Sequence, residues 1–201
     1  SAAVGAVGCA ITLTTVGTRS LTATYSGDAN YVGSVSPGVS HTVTTAATTT
    51  TILSDAPDPS VVGQAVTVGF SVTSAGGTPT GNVTVSDGTV SCVGTVAVPN
   101  CALTFTAAGA KTLTATYAGD VNFAGSTSVG ATHTVNAAAT TTTITTNLPN
   151  PSVVGQNVTV DYSVTSTGGT PTGNVTVSDG VNSCIVTVGA AGCSLARATI
   201  G

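Results

Sequence analysis

The chain has 201 residues, of which 41% are hydrophobic and 5% are charged, and its formal net charge is −4. With a total of three Lys and Arg residues, it cannot form the basic face that nucleic acid or an anionic lipid surface requires. No apolar run approaches the ~20 residues of a membrane-spanning helix. We therefore expect neither nucleic acid binding nor membrane insertion.

Sequence motifs recur along the chain at a fixed spacing of 92 residues. Of the 45 aligned positions in segments 48–92 and 140–184, 34 are identical. A constant period of this kind predicts an array of similar domains. Further recurring segments are 58–64 with 150–156, 77–88 with 169–180, and 22–28 with 114–120.

The period divides the chain into one complete and two partial repeats. Residues 45–136 make a complete unit, residues 1–44 match the C-terminal half of a preceding unit, and residues 137–201 match the N-terminal two-thirds of a following one. A unit of 92 residues is long enough to bury its own core. We expect both ends to be cuts through a longer array, and residues 196–201 depart from the repeat pattern.

The complete unit contains seven strand-like runs separated by turn residues, which predicts an all-β sandwich. About a fifth of the chain is Thr, and β-branched side chains suit a pleated surface. The alternation of Val66, Val68 and Phe70 predicts a core strand, and Asp87-Gly88 predicts a hairpin. In chain order the predicted strands are 48–54, 65–74, 82–86, 89–96, 101–106, 111–117 and 129–135.

The five cysteines occupy two repeat positions: Cys92 and Cys184 hold the first, and Cys9, Cys101 and Cys193 hold the second. The partner of Cys9 would precede the first residue. A hairpin across the short connection between the two positions would bring their Cα atoms to the ~5.5 Å that a disulfide requires. Two cysteines with no nearby His cannot complete a zinc shell. We expect Cys92–Cys101 and Cys184–Cys193 disulfides, and hence an oxidising, extracytoplasmic environment.

Several motifs recur in a fixed order with a Thr-rich opening strand. They are Pro-Ser-Val-Val-Gly-Gln at 59–64, Gly-Thr-Pro-Thr-Gly-Asn-Val-Thr-Val at 77–85 and Thr-Ala-Thr-Tyr-Ala-Gly-Asp-Val-Asn-Phe at 114–123. Together they resemble the bacterial immunoglobulin-like repeats found in tandem in secreted and cell-surface proteins. The resemblance implies tandem immunoglobulin-like β-sandwich domains of about seven strands each, and a role as stalk, spacer, adhesin arm or fibre unit.

No group of residues in the sequence predicts catalysis. His41 and His133 occupy one repeat position on the last strand, where we expect a solvent-facing side chain. Asp28 and Asp120 each follow a Tyr-x-Gly motif and stand two residues before an Asn, which predicts an Asx turn. Calcium is the alternative ligand of this loop, but calcium takes six or more oxygens and the loop offers about three. We predict no catalytic, cofactor-binding or metal-binding residue, and no enzyme.

Two other sets of residues carry weaker signals. Tyr25 and Tyr117 share a repeat position on an alternating strand, and we expect both in a core. Asn82, Asn157 and Asn174 each begin an Asn-Val-Thr glycosylation sequon, a sequence that also arises by chance in Thr-rich chains.

These features favour a non-enzymatic structural array, a stalk, spacer or extracellular fibre of a secreted or cell-surface bacterial protein. The junction at 136–139 has no Gly or Pro, which predicts a semi-rigid connection between neighbouring repeats. One alternative is an adhesin-type binding module for a glycan or host protein, although binding surfaces usually show exposed aromatics or Arg. The other is a filament subunit in which the tail of one chain completes its domain with the head of the next copy, pairing Cys184 with Cys9 of that copy and leaving Cys193 free.

Overall fold

The computed structural model describes residues 8–195, and every regular element among them is a β-strand. The all-β prediction is confirmed. In this part of the chain there is no helix long and apolar enough to cross a bilayer. The segment 196–201, whose sequence departs from the repeat pattern, lies outside the described residues.

The chain divides into two compact units, whose boundaries differ from those of the sequence repeats. The assignment of one domain to each repeat stays a prediction from the sequence. Within the described range the first unit contains the residues up to Asp55, Thr67–Ala102 and Thr112–Ala131, and the second contains Ala56–Val66, Leu103–Lys111 and the residues from Thr132 onward.

Four short strands occupy the part of the chain before residue 45. Strand β1 pairs antiparallel with β4, with Arg19 opposite His41, and β2 pairs antiparallel with β3. Their bounds are β1 Gly17–Leu21, β2 Thr24–Gly27, β3 Val32–Val35 and β4 Val39–Val43.

The complete repeat contains nine strands in two sheets. One sheet has the order β10-β7-β5, and the other has the order β6-β13-β11-β8-β9 with β12 beside β11. All seven predicted strands are present, with ends shifted by a few residues, and the two-residue strands β6 and β12 were not predicted. Their bounds are β5 Thr49–Ala56, β6 Ser60–Val61, β7 Ala65–Thr73, β8 Asn82–Ser86, β9 Ser91–Thr95, β10 Asn100–Thr104, β11 Gly109–Tyr117, β12 Ser126–Thr127 and β13 Ala131–Asn136.

The last part of the chain repeats the first five long strands of this pattern. Strands β14, β15 and β18 form one sheet in the order β14-β15-β18, and β16 pairs with β17 in another. This order matches β5-β7-β10 and β8-β9, as the sequence identity between the repeats predicts. Their bounds are β14 Thr140–Leu148, β15 Val158–Ser166, β16 Asn174–Ser178, β17 Ser183–Thr187 and β18 Cys193–Leu195.

Buried and exposed side chains alternate along the core strands of the first unit, because successive residues of a strand point to opposite faces. Val68, Phe70, Val83, Val85 and Tyr117 are each at most 1% exposed. The second unit has its own apolar cluster at Val160, Val177 and Cys193, against which Val158, Tyr162 and Val175 are partly buried.

Candidate functional site

Two disulfides join the cysteines at the two repeat positions. Cys92 is bonded to Cys101 with a Cα–Cα distance of 5.8 Å, and Cys184 is bonded to Cys193 with a Cα–Cα distance of 6.0 Å. Cys9 is an exposed free thiol. The pairing of Cys184 with Cys9 of another copy, expected for a filament subunit, is therefore replaced by a bond within one chain.

The prediction that the strands with Cys92 and Cys101 pair as a hairpin is wrong. Strand β9, with Cys92, pairs with β8, whereas β10, with Cys101, belongs to the other sheet beside β7. The chain changes sheets in between, because the Pro99 carbonyl accepts a hydrogen bond from the Phe70 N–H of β7 at 3.0 Å. The bond therefore links the two sheets at their edges. Gly94 permits the close approach, since an added Cβ would lie 2.5 Å from the Asn100 carbonyl oxygen and 2.8 Å from the Phe70 ring.

The loop after β11 is organised by the carboxylate of Asp120. Its Oδ1 accepts hydrogen bonds from the N–H groups of Asn122 at 2.8 Å and Phe123 at 2.9 Å, which confirms the predicted Asx turn. Its Oδ2 accepts from the Thr80 N–H at 2.9 Å and from the Thr80 hydroxyl at 2.7 Å. The Tyr117 hydroxyl donates to the Thr80 carbonyl at 2.7 Å. Four hydrogen bonds to one carboxylate thus fix this loop against the turn that contains Thr80.

These bonds and the burial of the loop shift the pKa values of Asp120 and Tyr117. The Thr80 hydroxyl, together with the N–H groups of Asn122, Thr80 and Phe123, lowers the pKa of Asp120 to about 2, against a smaller opposing effect of burial. Burial raises the pKa of the Tyr117 phenol, and the negative charge of Asp120 raises it further.

The equivalent loop in the first partial repeat, around Asp28, differs in the hydrogen-bond partner of its Tyr. Asp28 forms the equivalent Asx turn through the N–H groups of Asn30 at 2.8 Å and Tyr31 at 2.9 Å. The Tyr25 hydroxyl, however, donates to Asp28 Oδ2 at 2.9 Å. Tyr25 is 45% exposed, so its predicted place in a core is wrong, whereas Tyr117 is 1% exposed. Within the described residues, β2 pairs with β3 alone, whereas β11 also has β8 and β13 as neighbours.

His133 is buried, so the prediction of a solvent-facing side chain is wrong for this residue. It is 1% exposed, and its Nε2 lies 2.8 Å from Ser60 Oγ. Its Nδ1 lies 3.4 Å from Asp58 Oδ1, which also accepts the Thr134 N–H at 3.0 Å. The imidazole stacks on Phe105 with ring centroids 5.1 Å apart. The sequence contained the signal, because His133 alternates in phase with Val135, a buried residue of the same strand.

The order Ser60, His133, Asp58 has the composition of a hydrolase triad, but it lacks the access that catalysis needs. Ser60 is 0% exposed, so its hydroxyl cannot reach a substrate. The arrangement instead satisfies two buried polar side chains and ties β6 to the parallel strand β13, where Ser60 lies opposite Val135.

Within the first unit, a hydrogen bond joins two consecutive repeats, and another ties the same loop to the start of the complete repeat. The Asn122 side-chain oxygen accepts the Val16 N–H at 3.1 Å, and the Asn122 carbonyl accepts the Ala46 N–H at 2.8 Å. A cavity of about 110 Å³ lies beside these bonds, bordered by Thr14, Val16, Ala46, Gly76, Asn122 and Phe123 among others.

The second unit contains the junction between the complete repeat and the partial repeat that follows it. Gly63 has φ +82°, and an added Cβ would lie 2.6 Å from the Cα of Gly168. Two turns from consecutive repeats therefore meet backbone to backbone. A cavity of about 580 Å³ lies beside them, and Thr106, Ala108, Ala138 and Gly168 on its wall stand 92 residues after four wall residues of the smaller cavity. Thr172 also borders it.

Comparison with known proteins identifies the complete repeat. Residues 53–136 match the family model of the bacterial Ig-like domain (group 3). No curated protein and no solved structure matches the chain. The matched stretch contains the Cys92–Cys101 bond, the Asp120 loop and the His133 cluster. Residues 53–136 of this chain are therefore a bacterial immunoglobulin-like domain, as the resemblance of the motifs predicted.

Proposed function

We propose that this chain is a non-enzymatic structural array of a secreted or cell-surface bacterial protein, acting as a stalk, spacer or extracellular fibre. Immunoglobulin-like domains of this family are generally non-enzymatic and serve as structural or surface modules. The partners of each domain in this proposal are the neighbouring repeats and, in a fibre, other copies of the chain.

The observation that carries the proposal is the hydrogen bond that joins consecutive repeats at Asn122. Asn122 receives both the Val16 N–H and the Ala46 N–H, so one loop is joined to the preceding repeat and to the connecting segment. Side-chain and backbone bonds of this kind restrict rotation at a junction that has no Gly or Pro. A stalk needs such a junction, because a freely jointed chain would not project its end.

The two disulfides support the extracellular part of the proposal. Each one joins strands that lie in different sheets and closes a loop with a sequence separation of 9. Structural disulfides of this kind form and persist in oxidising compartments.

The described part of the chain gives little support to a dedicated adhesin. Its exposed aromatic side chains are Tyr25 and Tyr31, both in the partial first repeat, and their counterparts Tyr117 and Phe123 are buried. The same side chains that would serve as binding residues are thus core residues wherever the repeat is complete.

Location and redox state in the producing cells test the proposal together. A membrane-impermeant label applied to intact cells, followed by non-reducing peptide mapping, should find the protein labelled and the Cys92 and Cys101 peptides linked. Protein that is protected from the label and has free thiols at both positions would contradict the extracellular role. A cytoplasmic protein of the same cells serves as the control for lysis.

A further inference from the structure

The segment that opens the complete repeat lies along the loop after β11. We call residues 120–124 the junction loop. The Ala46 N–H donates to the Asn122 carbonyl at 2.8 Å, and the Ala46 carbonyl accepts from the Ala124 N–H at 2.9 Å. The Thr48 hydroxyl donates to the Ala124 carbonyl at 2.7 Å. These bonds tie the connecting segment to the backbone of the junction loop.

The junction loop also binds the preceding repeat. The side-chain oxygen of Asn122 accepts the Val16 N–H at 3.1 Å, while the backbone carbonyl of the same residue accepts the Ala46 N–H. One residue therefore binds two different segments. Both bonds form together only if the backbone of Asn122 is held in one shape, so the junction depends on whatever fixes that shape.

The fit around the connecting segment is close, and it recurs in the second unit. A Cβ added at Gly76 would lie 2.6 Å from the Cβ of Ala46, and a Cβ added at Gly168 would lie 2.5 Å from the Cβ of Ala138. Gly168 and Ala138 stand 92 residues after Gly76 and Ala46. The same contact is thus present at both junctions, which indicates that the connecting segment takes one defined position.

The carboxylate of Asp120 fixes the shape of the junction loop, and its two oxygens bind different elements. Oδ1 accepts the N–H groups of Asn122 at 2.8 Å and Phe123 at 2.9 Å, at the point where the loop contacts the neighbouring segments. Oδ2 accepts the N–H and the hydroxyl of Thr80. Oδ1 therefore shapes the loop, and Oδ2 attaches it to the turn before β8.

We propose that Asp120 is a positioning residue of the junction between repeats. By holding the N–H groups of Asn122 and Phe123, its carboxylate gives the junction loop the shape that binds the preceding repeat at Val16 and the connecting segment at the same time. Asp120 acts on the junction through Asn122. The inference rests on the proposed array, because it concerns the junction that the array uses.

Amide hydrogen exchange of the isotope-labelled full chain, followed by NMR, tests this role. The N–H groups of Val16 and Ala46 report on the junction, and the Phe70 N–H, which donates to the Pro99 carbonyl, reports on the core. Asp120→Ala should speed exchange at both junction amides by about tenfold or more, because the loop opens locally. A role in stability alone would speed exchange at Phe70 and leave the locally opening junction amides unchanged, which would overturn the proposal.

Two further variants separate the shape of the loop from the loss of one bond. Asn122→Ala removes the acceptor of the Val16 N–H and keeps the carbonyl that accepts the Ala46 N–H, so it should speed exchange at Val16 alone. The matched control Asp28→Ala removes the equivalent Asx turn of the first partial repeat and should change both junction amides by less than about threefold. Equal effects of Asp28→Ala and Asp120→Ala would contradict the proposal.

Asp120→Asn provides the test if Asp120→Ala does not fold. The carboxamide keeps one oxygen for the Asx turn but loses the second acceptor, which binds Thr80. Exchange at the junction amides should stay within about threefold of the native chain while exchange at Phe70 becomes faster. Faster exchange at both junction amides would contradict the role assigned to Oδ1.

The native chain distinguishes this proposal from the array proposal. If its Val16 and Ala46 amides exchange as fast as those of an unfolded chain, the junction does not form, and both proposals fail. If they are protected in the native chain and equally protected in Asp120→Ala, the array proposal stands and only the role of Asp120 is wrong.

Discussion

At the residue scale, His133 shows how a polar side chain is accommodated in an immunoglobulin-like core. Its two ring nitrogens face Ser60 and Asp58, and its ring stacks on Phe105. A buried polar group costs free energy unless it is hydrogen-bonded, so the three side chains stabilise the domain only as a set. Removing the imidazole leaves the Ser60 hydroxyl buried without this partner.

We predict that His133→Ala lowers the free energy of unfolding of the complete repeat by about 2–4 kcal/mol, from the lost partner of Ser60 and the cavity left beside Phe105. His41 stands at the same repeat position but is exposed, so His41→Ala should cost less than about 0.5 kcal/mol. Urea denaturation of the two variants of the full chain gives the comparison. Equal effects at both positions would show that burial does not distinguish them.

The sequence predicted residue roles well where the interaction is local and poorly where it is distant. The Asx turns at Asp28 and Asp120 were predictable because each carboxylate bonds N–H groups two and three residues later. The partner of His133 is 73 residues away at Ser60, so no short motif contains it. The burial of Tyr25 was predicted wrongly, since burial depends on packing between strands that are distant in sequence and not on the local alternation.

At the scale of elements, the Asp120 loop connects β11 to β12 and is held by the turn before β8. Strand β12 then pairs with β11, with Tyr117 opposite Ser126. The carboxylate of Asp120 joins these elements because it accepts bonds from both the turn and its own loop. The strength of this connection depends on the negative charge.

We predict that Asp120 makes the stability of the repeat depend on pH between about 4 and 2. Its pKa is about 2 in the folded chain and about 3.9 in an unfolded one, so the folded state favours the carboxylate. The stabilisation is complete above pH ~4 and is lost as the pH falls toward 2. Urea denaturation at pH 7, 4, 3 and 2 measures it. Asp120→Asn should be less stable than the native chain at pH 7, and the difference should shrink toward pH 2; a constant difference would contradict the assigned role.

The order of the strands along the chain was easier to predict than which strands pair with each other. All seven predicted runs of the complete repeat are strands, since alternation and turn residues are local features. Which sheet a strand belongs to does not follow from the neighbouring residues. Strands β9 and β10 follow each other across a short connection, yet they lie in different sheets. The Cys92–Cys101 spacing alone was compatible with a hairpin or with a bond between sheets, and only the pairing of β10 with β7 distinguishes them.

At the scale of the whole molecule, the 92-residue period of the sequence predicts that the same type of junction recurs between repeats. Asn122 joins its loop to Val16 in the first unit, and Gly63 meets Gly168 in the second. The complete repeat contributes a different surface to each contact: the Asn122 loop to the first and the Gly63 turn to the second. The proposed array therefore predicts the same gain in length with every added repeat.

Small-angle scattering of a lengthened chain tests this central claim most directly. One further copy of residues 45–136 is inserted after Asn136, and the maximum dimension of the monomeric protein is compared with that of the original chain at low concentration. Strand β7 has 9 residues, and at ~3.3 Å per residue plus loops each domain spans roughly 35–45 Å. The structural array predicts an increase of that size. An unchanged maximum dimension, with the added repeat folded against the others, would contradict it.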